Sequence, residues 1–274
     1  PGLLGVKVEP GQHPNIALTI AGSDSGAGAG IQADLKTFAS FGVYGTCAVT
    51  AVTAQNTLGV TAIHPIPPEI VRSQIDAVFA DIPPQAVKIG MLASAEIIET
   101  VAQCLIEHPG IPIVLDPVMV AKGGDRLIEE EAIEILRDKL LPLATVLTPN
   151  SDEAEVLSGT RIQNMEDARA AAKIISSYGS QTIVVKGGHF GASAVDLFFD
   201  GERFHEYPAE RISTTSTHGT GCTFAAAVTA GVANRLGIQE AVGIAKDFVT
   251  MAIKAAPGIG QGNGPLNHFY RWWS

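Results

Sequence analysis

The sequence predicts an α/β fold. Short apolar runs alternate with segments of helical periodicity along nearly the whole chain, the rhythm of a sheet covered by helices. These runs end in glycine-punctuated turns or in single polar residues, as at 22–30, Asp116, Lys186 and 219–221. Neither an internal repeat nor a linker interrupts the pattern, so residues 15–274 read as one domain behind a tail over 1–14. The loose composition through Pro14 predicts that this tail is trimmed or partly disordered.

Composition narrows what such a domain does. Of the 274 residues, 46% are hydrophobic and 17% charged, which is enough apolar surface for a substantial core. The formal net charge is −10 and no run of Lys or Arg occurs, which argues against a nucleic-acid surface. An acidic chain still binds an anion where local N–H groups, one lysine and a metal ion outweigh the global field. The start, Pro1 to Lys7, lacks the charged and apolar regions of a secretory signal, and no apolar stretch approaches the ~18 residues of a bilayer span. Three widely spaced cysteines, Cys47, Cys104 and Cys222, suit a reducing compartment. A cytoplasmic location without a membrane partner is the expectation. His64, His108, His189, His205 and His218 are isolated from one another, so a zinc site is not expected.

The elements follow in order. Residues 15–21 form a buried strand, 22–30 a glycine-rich loop and 31–41 a helix. Strand, loop and helix is also the setting of a dinucleotide site, but Gly26, Gly28 and Gly30 alternate and do not fit Gly-x-Gly-x-x-Gly. The second strand, near Val43 to Thr53, ends in Ala54-Gln55-Asn56 without a ribose-binding acid, and no P-loop lysine follows the glycines. This loop therefore lies against a small substrate, not around a nucleotide phosphate. Pro67-Pro68 opens a helix with the apolar set Ile70, Val71, Ile75, Val78 and Phe79. A strand over 86–92 and a helix over 95–106 come next, with Met91 placed to pack on a flat ring or to fill the core. Residues 113–118 form a strand with Asp116 at its carboxyl edge, where open α/β sheets hold ligands, and the loop Met119 to Asp125 is positioned to lie over one. A helix over 129–139 and a strand over 145–148 lead to Asn150 and Glu153 at a helix start, where Ser151 or Asp152 would cap.

A helix over 165–178 and a buried strand over 182–185 bring the chain to Lys186. A lone lysine at an apolar tip needs solvent or an anion. A hairpin over 194–199 and 203–207 precedes two helices, 223–236 and 238–255. Between hairpin and helix lies Ser216-Thr217-His218-Gly219-Thr220-Gly221-Cys222-Thr223. Glycines there place free N–H groups at the first turn of a buried helix, an anion site suited to a transferring phosphoryl group; Gly-x-Gly alone reads as well as a loop capping a core helix, with Cys222 a small buried hydrophobe. The same field is expected to favour thiolate over thiol at Cys222.

His-Gly-Thr-Gly-Cys-Thr at 218–223 resembles the anion-hole signature of the ribokinase-like superfamily, in its hydroxymethylpyrimidine/phosphomethylpyrimidine kinase branch. Most sugar and nucleoside kinases of the superfamily carry an aspartate as base after the second glycine; Cys222 in that place is the pattern of the vitamin-kinase branch, some pyridoxal kinases included. Residues 21–36 resemble the branch's N-terminal signature, with Gly26 and Ala27 where relatives often have Ser or Gly. Thr148-Pro149-Asn150-x-x-Glu153 resembles its metal and phosphate loop, and 258–269 its closing segment.

The resemblance implies a three-layer α/β/α sandwich with a largely parallel central sheet. It implies ATP- and Mg²⁺-dependent phosphorylation of the alcohol of 4-amino-5-hydroxymethyl-2-methylpyrimidine, then of the monophosphate, in thiamine biosynthesis, by a homodimer. Asp34, Gln55, Met91 and Gly22 would surround the pyrimidine, although alone Asp34 reads as an exposed helix acid and Gln55 as a loop amide. Gly219, Thr220, Gly221 and Lys186 would stabilise the transferring phosphoryl, and Cys222 would receive the alcohol proton. Asp116, Asn150 and Glu153 would form the phosphate and metal loop, with Mg²⁺ held through Asp116 and Glu153. A pyridoxal kinase of the same branch and a non-catalytic pyrimidine-phosphate sensor remain alternatives. Gln55 speaks against the first, and the set Asn150, Glu153, Lys186 and Cys222 against the second.

Overall fold

A computed structural model describes residues 13–119, 130–187 and 193–272. Nine strands form one sheet: β1 Ile16–Asp24, β2 Tyr44–Asn56, β3 Gly59–Pro65, β4 Ala86–Ile89, β5 Ile113–Leu115, β6 Val146–Leu147, β7 Thr182–Val185, β8 Ser193–Phe199 and β9 Phe204–Glu210. Their spatial order is β3-β2-β1-β4-β5-β6-β7-β8-β9. The six strands from β2 to β7 in that order run parallel; β3 pairs antiparallel with β2 at one edge, and β8 pairs antiparallel with both β7 and β9 at the other.

The central strands divide their side chains between two cores because successive residues point to opposite faces. Leu18, Ile20, Ile89 and Leu115 join one core with α2 (Pro68–Asp81), α3 (Ala95–Ile106), α5 (Ser151–Ser158) and α6 (Met165–Ser176). Ala17, Val114, Val146 and Val184 join the other with α1 (Gly30–Ser40), α7 (Thr220–Ala233) and α8 (Ile238–Lys254). That is the expected three-layer α/β/α sandwich. All six parallel strands end on the same edge, and the chain turns there from strand to helix or loop.

Three differences from the sequence reading stand out. β3 was not anticipated: it is an edge strand, nearly all exposed, so it carries little of the alternation that marks a half-buried strand. By pairing with β2 it extends that strand to Asn56, with a register shift at Ala54/Gln55. The helix expected over 129–139 is α4 (Glu130–Ile135) followed by a π turn over Leu136–Leu140 and a 3₁₀ turn over Leu141–Leu143, where Pro142 cannot continue an α-helical ladder. In α2 the buried stripe is Val71 and Ile75, and Ile70 is exposed. The loop Met119 to Asp125 lies outside the described residues apart from Met119, which is buried, as does His189. Among the described residues no helix is long and apolar enough to cross a membrane.

Candidate active site

Beyond the carboxyl ends of the parallel strands lies a cavity of about 960 Å³. Every site residue derived from the sequence lines it, with the exception of Asp34.

At one end, α7 begins. Gly219 caps it in the left-handed region (φ 80°), and a Cβ there would sit 1.8 Å from the Gly28 carbonyl, so only glycine lets the turn press on the glycine-rich loop. Thr220 is tied down by its hydroxyl, which donates to the Thr217 carbonyl at 2.7 Å. Among the described residues the Gly221 and Cys222 N–H groups have no acceptor, as expected for a helix start that holds an anion. A Cβ on Gly221 would lie 3.1 Å from Lys186 Nζ, so the missing side chain brings this helix start against the lysine.

Lys186 extends from the tip of β7 and donates to Asp116 Oδ1 at 2.7 Å; Thr148 Oγ1 donates to the same oxygen at 3.2 Å. Burial works against the ammonium, but Asp116 and Glu153 outweigh it and hold Lys186 above its usual range. Glu153 is pushed up to about 7, chiefly by burial and with Asp116 adding, against Lys186 and backbone N–H groups. The expected caps of α5 were Ser151 or Asp152. Instead Asn150 is the N-cap and Glu153 completes a capping box: Glu153 N–H donates to Asn150 Oδ1 and Asn150 N–H to Glu153 Oε2, each at 2.8 Å. One pair of residues thus both starts the helix and faces the cavity.

These groups fit Mg²⁺. Asp116 and Glu153 offer hard carboxylate oxygens, and Mg²⁺ is commonly held by one or two carboxylates, with water and substrate phosphates completing its shell. Such a site needs no cage of protein ligands, and among the described residues no cluster of three His, Cys, Asp or Glu exists.

Cys222 corrects the electrostatic expectation. Burial pushes its thiol up to about 11; Lys88 and a Gly30 N–H oppose this, while Asp34 and Asp116 reinforce it. The helix field does not win, and the sulfur is protonated at neutral pH.

The other end of the cavity is walled by Gly22, Gln55 and Met91. Gly22 faces Met91, whose Cε would be 2.6 Å from a Cβ at position 22, and Thr50 Oγ1 donates to the Met91 carbonyl at 2.6 Å. Gln55 Oε1 accepts from Thr53 Oγ1 at 3.2 Å. Asp34 does not face the cavity, nor is it an exposed acid. It is fully buried on α1, where Oδ2 accepts from Thr19 Oγ1 (2.6 Å) and Lys88 Nζ (2.8 Å), and Oδ1 has no partner. Burial disfavours both charges of this pair, and the carboxylate holds the Lys88 ammonium above its usual range. Lys88, not Asp34, meets the cavity.

Three contributors escaped sequence reasoning. Lys88 stood unremarked inside an apolar run. Asp24, at the end of β1, shapes the glycine-rich loop: Oδ1 accepts from Gly26 N–H (2.8 Å), and Oδ2 from Gly28 (3.0 Å) and Ala29 (2.8 Å). Nε2 of His218 lies 2.9 Å from the same Oδ2, across 194 residues of sequence. Burial opposes the Asp24 charge, yet His218 and the N–H groups keep the carboxyl below its usual range. The available signals were an Asp inside the glycine-rich loop over 22–30 and the His that opens the signature at 218–223.

The closing segment braces both ends. Gly264 O accepts from His218 N–H at 3.0 Å, His268 Nε2 lies 2.9 Å from Thr223 Oγ1, and Asn263 N–H donates to Thr57 O, beyond Gln55, at 2.8 Å.

Phosphoryl transfer is the chemistry for which this cavity is equipped, and the architecture is that of the ribokinase-like kinases. Comparison with known proteins agrees. The chain matches the family described as phosphomethylpyrimidine kinase over residues 24–267. It is 54% identical over 257 residues to a hydroxymethylpyrimidine/phosphomethylpyrimidine kinase of Synechococcus elongatus, spanning 93% of this chain and 97% of that one. It is 50% identical over 252 residues to the thiamine biosynthesis bifunctional protein ThiED of Geobacter sulfurreducens, across 92% of this chain and 51% of that protein. Among solved structures, an ADP complex of Bacillus subtilis pyridoxal kinase superposes with a TM-score of 0.89 at 41% identity, covering 96% of this chain and all of that one. The chain belongs to the phosphomethylpyrimidine kinase family.

Proposed function

We propose that this kinase phosphorylates 4-amino-5-hydroxymethyl-2-methylpyrimidine on its alcohol and then phosphorylates the monophosphate, using ATP and Mg²⁺, as a step of thiamine biosynthesis. The observation that carries the reading is Gln55 in the same cavity as Gly22, Met91, Lys186 and the start of α7. A primary amide offers one donor and one acceptor side by side, which match an aminopyrimidine edge. Met91 offers a flexible apolar surface for the flat ring.

Lys186 neutralises charge on the transferring phosphoryl, and the N–H groups of Gly221 and Cys222 bind its oxygens as charge develops. Mg²⁺, held by Asp116 and Glu153, supplies further charge neutralisation when bound. Cys222 serves the first phosphorylation only, because an alcohol must lose a proton whereas a phosphate monoester is already ionised. Since the thiol is protonated at rest, its base form is a minor species at neutral pH.

The test is ATP turnover with the pyrimidine alcohol, with its monophosphate, with pyridoxal, and with no acceptor. Turnover on both pyrimidines far above that on pyridoxal supports the reading. Preference for pyridoxal, the activity of the superposed Bacillus enzyme, overturns it.

A homodimer is part of the proposal. Tyr44, Val52, Leu58 and Ile63 expose apolar surface on and between β2 and β3, at the sheet edge, a surface suited to a second copy. Light scattering giving a monomer at micromolar concentration would remove that part. A cytoplasmic location goes with the free thiols of Cys47, Cys104 and Cys222.

A further inference from the structure

Asp196 is a buried carboxylate that the reaction as described does not use. It sits on β8 with its side chain 6% exposed, and Oδ1 pairs with Lys246 Nζ of α8 at 2.9 Å. Oδ1 also accepts the Gly187 N–H at 2.9 Å. Burial pushes the carboxyl up, and Lys246 opposes that shift. An ion pair taken out of water contributes little net stability, so its retention calls for another reason.

The local backbone supplies one. The ladder between β7 and β8 ends at Val185↔Leu197. One residue later the chain leaves β8 and follows β6: Lys186 bridges to Asn150, and its N–H donates to the Pro149 carbonyl at 2.8 Å. Gly187 N–H then has no strand partner in β8, and the Asp196 carboxylate takes the place of the missing carbonyl. The Lys186 backbone is therefore gripped on one side by Pro149 and on the other, through Gly187, by Asp196. The side chain thus held must reach Asp116 at 2.7 Å and lie close to Gly221.

We propose that Asp196 is a positioning residue for phosphoryl transfer, setting the place of Lys186 through the Gly187 N–H, with Lys246 holding the carboxylate in place. This rests on the role given to Lys186 above. Displacing a charged group by about 1 Å costs on the order of 10²-fold in rate, while leaving acceptor binding untouched.

The experiment is steady-state kinetics of both phosphorylations for Asp196→Ala, Asp196→Asn and Lys186→Ala. Asp196→Ala should lower kcat by about tenfold or more in both steps with the pyrimidine KM unchanged, since misplacement acts on the transition state. Asp196→Asn keeps an acceptor for Gly187 and should recover most of that loss. If Asp196→Ala does not fold, Asp196→Leu combined with Lys246→Met replaces the pair by apolar groups of similar size, with Lys246→Met alone as its reference. A kcat loss in the double variant beyond that of the reference supports the proposal. The proposal is overturned if a folded variant lacking the acceptor keeps the kcat of its reference, or if Asp196→Asn loses as much as Asp196→Ala. Should Lys186→Ala itself leave kcat unchanged, the reading of Lys186 fails first, and the two failures stay distinct.

Discussion

Two lysine–carboxylate pairs lie at the central strands of one sheet, one between β4 and α1 and one just past the ends of β5 and β7, and they differ in almost everything but chemistry. Lys88 and Asp34 are both 0% exposed, whereas Lys186 keeps 16% of its side chain open above an Asp116 that keeps 2%. The first pair closes the floor between β4 and α1, and its ammonium is already matched by a buried partner. The second faces the free N–H groups of α7, so its charge remains available to a ligand. A sealed pair is a structural element whose removal is felt by the fold. An open pair is felt by the reaction. The distinction lies in solvent access and not in residue type, and it is testable.

The largest effect should come from breaking the sealed pair on one side. Lys88→Met leaves a buried carboxylate without its cation and should lower stability by about 3–5 kcal/mol, read by denaturant unfolding. Lys88→Met with Asp34→Leu should return to near wild-type stability; if the single variant is as stable as the double, the pair is not sealed. At the open pair, Lys186→Ala should lower kcat for both phosphorylations by about 10²–10³-fold with a smaller loss of stability than Lys88→Met. Normal turnover with a shifted melting point would make the two pairs alike.

Cys222 lies between the pairs and sharpens the comparison through pH. Its thiol titrates near 11, so at pH 7 the proton is on and the base form grows as pH rises. Turnover of the alcohol should therefore climb about tenfold per pH unit between neutrality and mild alkali, while turnover of the monophosphate stays flat over the same range. Cys222→Ala should depress the alcohol step by about 10²-fold and the second step much less. Equal losses would mean that the residue only shapes the turn. The smallest effect is at the pyrimidine end: Gln55→Met should weaken pyrimidine binding by about 1–3 kcal/mol without changing affinity for ATP, measured by calorimetry.

What the sequence revealed follows how local each signal is. β5 and β7 are legible because strands buried on both faces read as unbroken apolar runs, Ile113-Val114-Leu115 and Thr182-Ile183-Val184-Val185. The start of α7 is legible because glycine, dipole and free N–H groups all lie within six residues, His218 to Thr223. β3 is hidden because its register is set by β2 and not by a core. Lys88 and Asp34 are hidden because burial of a charge depends on a partner 54 positions away, and Asp24 with His218 because their contact spans 194. Asn150 and Glu153 illustrate a different failure: the motif was seen, but its capping was assigned to the neighbours Ser151 and Asp152.

The closing segment has a consequence for how the enzyme comes into being. Gly264 holds His218, His268 meets Thr223, and Asn263 secures Thr57, so three contacts that brace the cavity come from residues made after α8. On a ribosome, domains acquire structure as they emerge, at about 5–20 residues per second. Every parallel strand of the sheet can thus be in place while the anion turn still lacks its brace. By this geometry the sheet alone does not complete the cavity; the closing segment through His268 must dock on it as well.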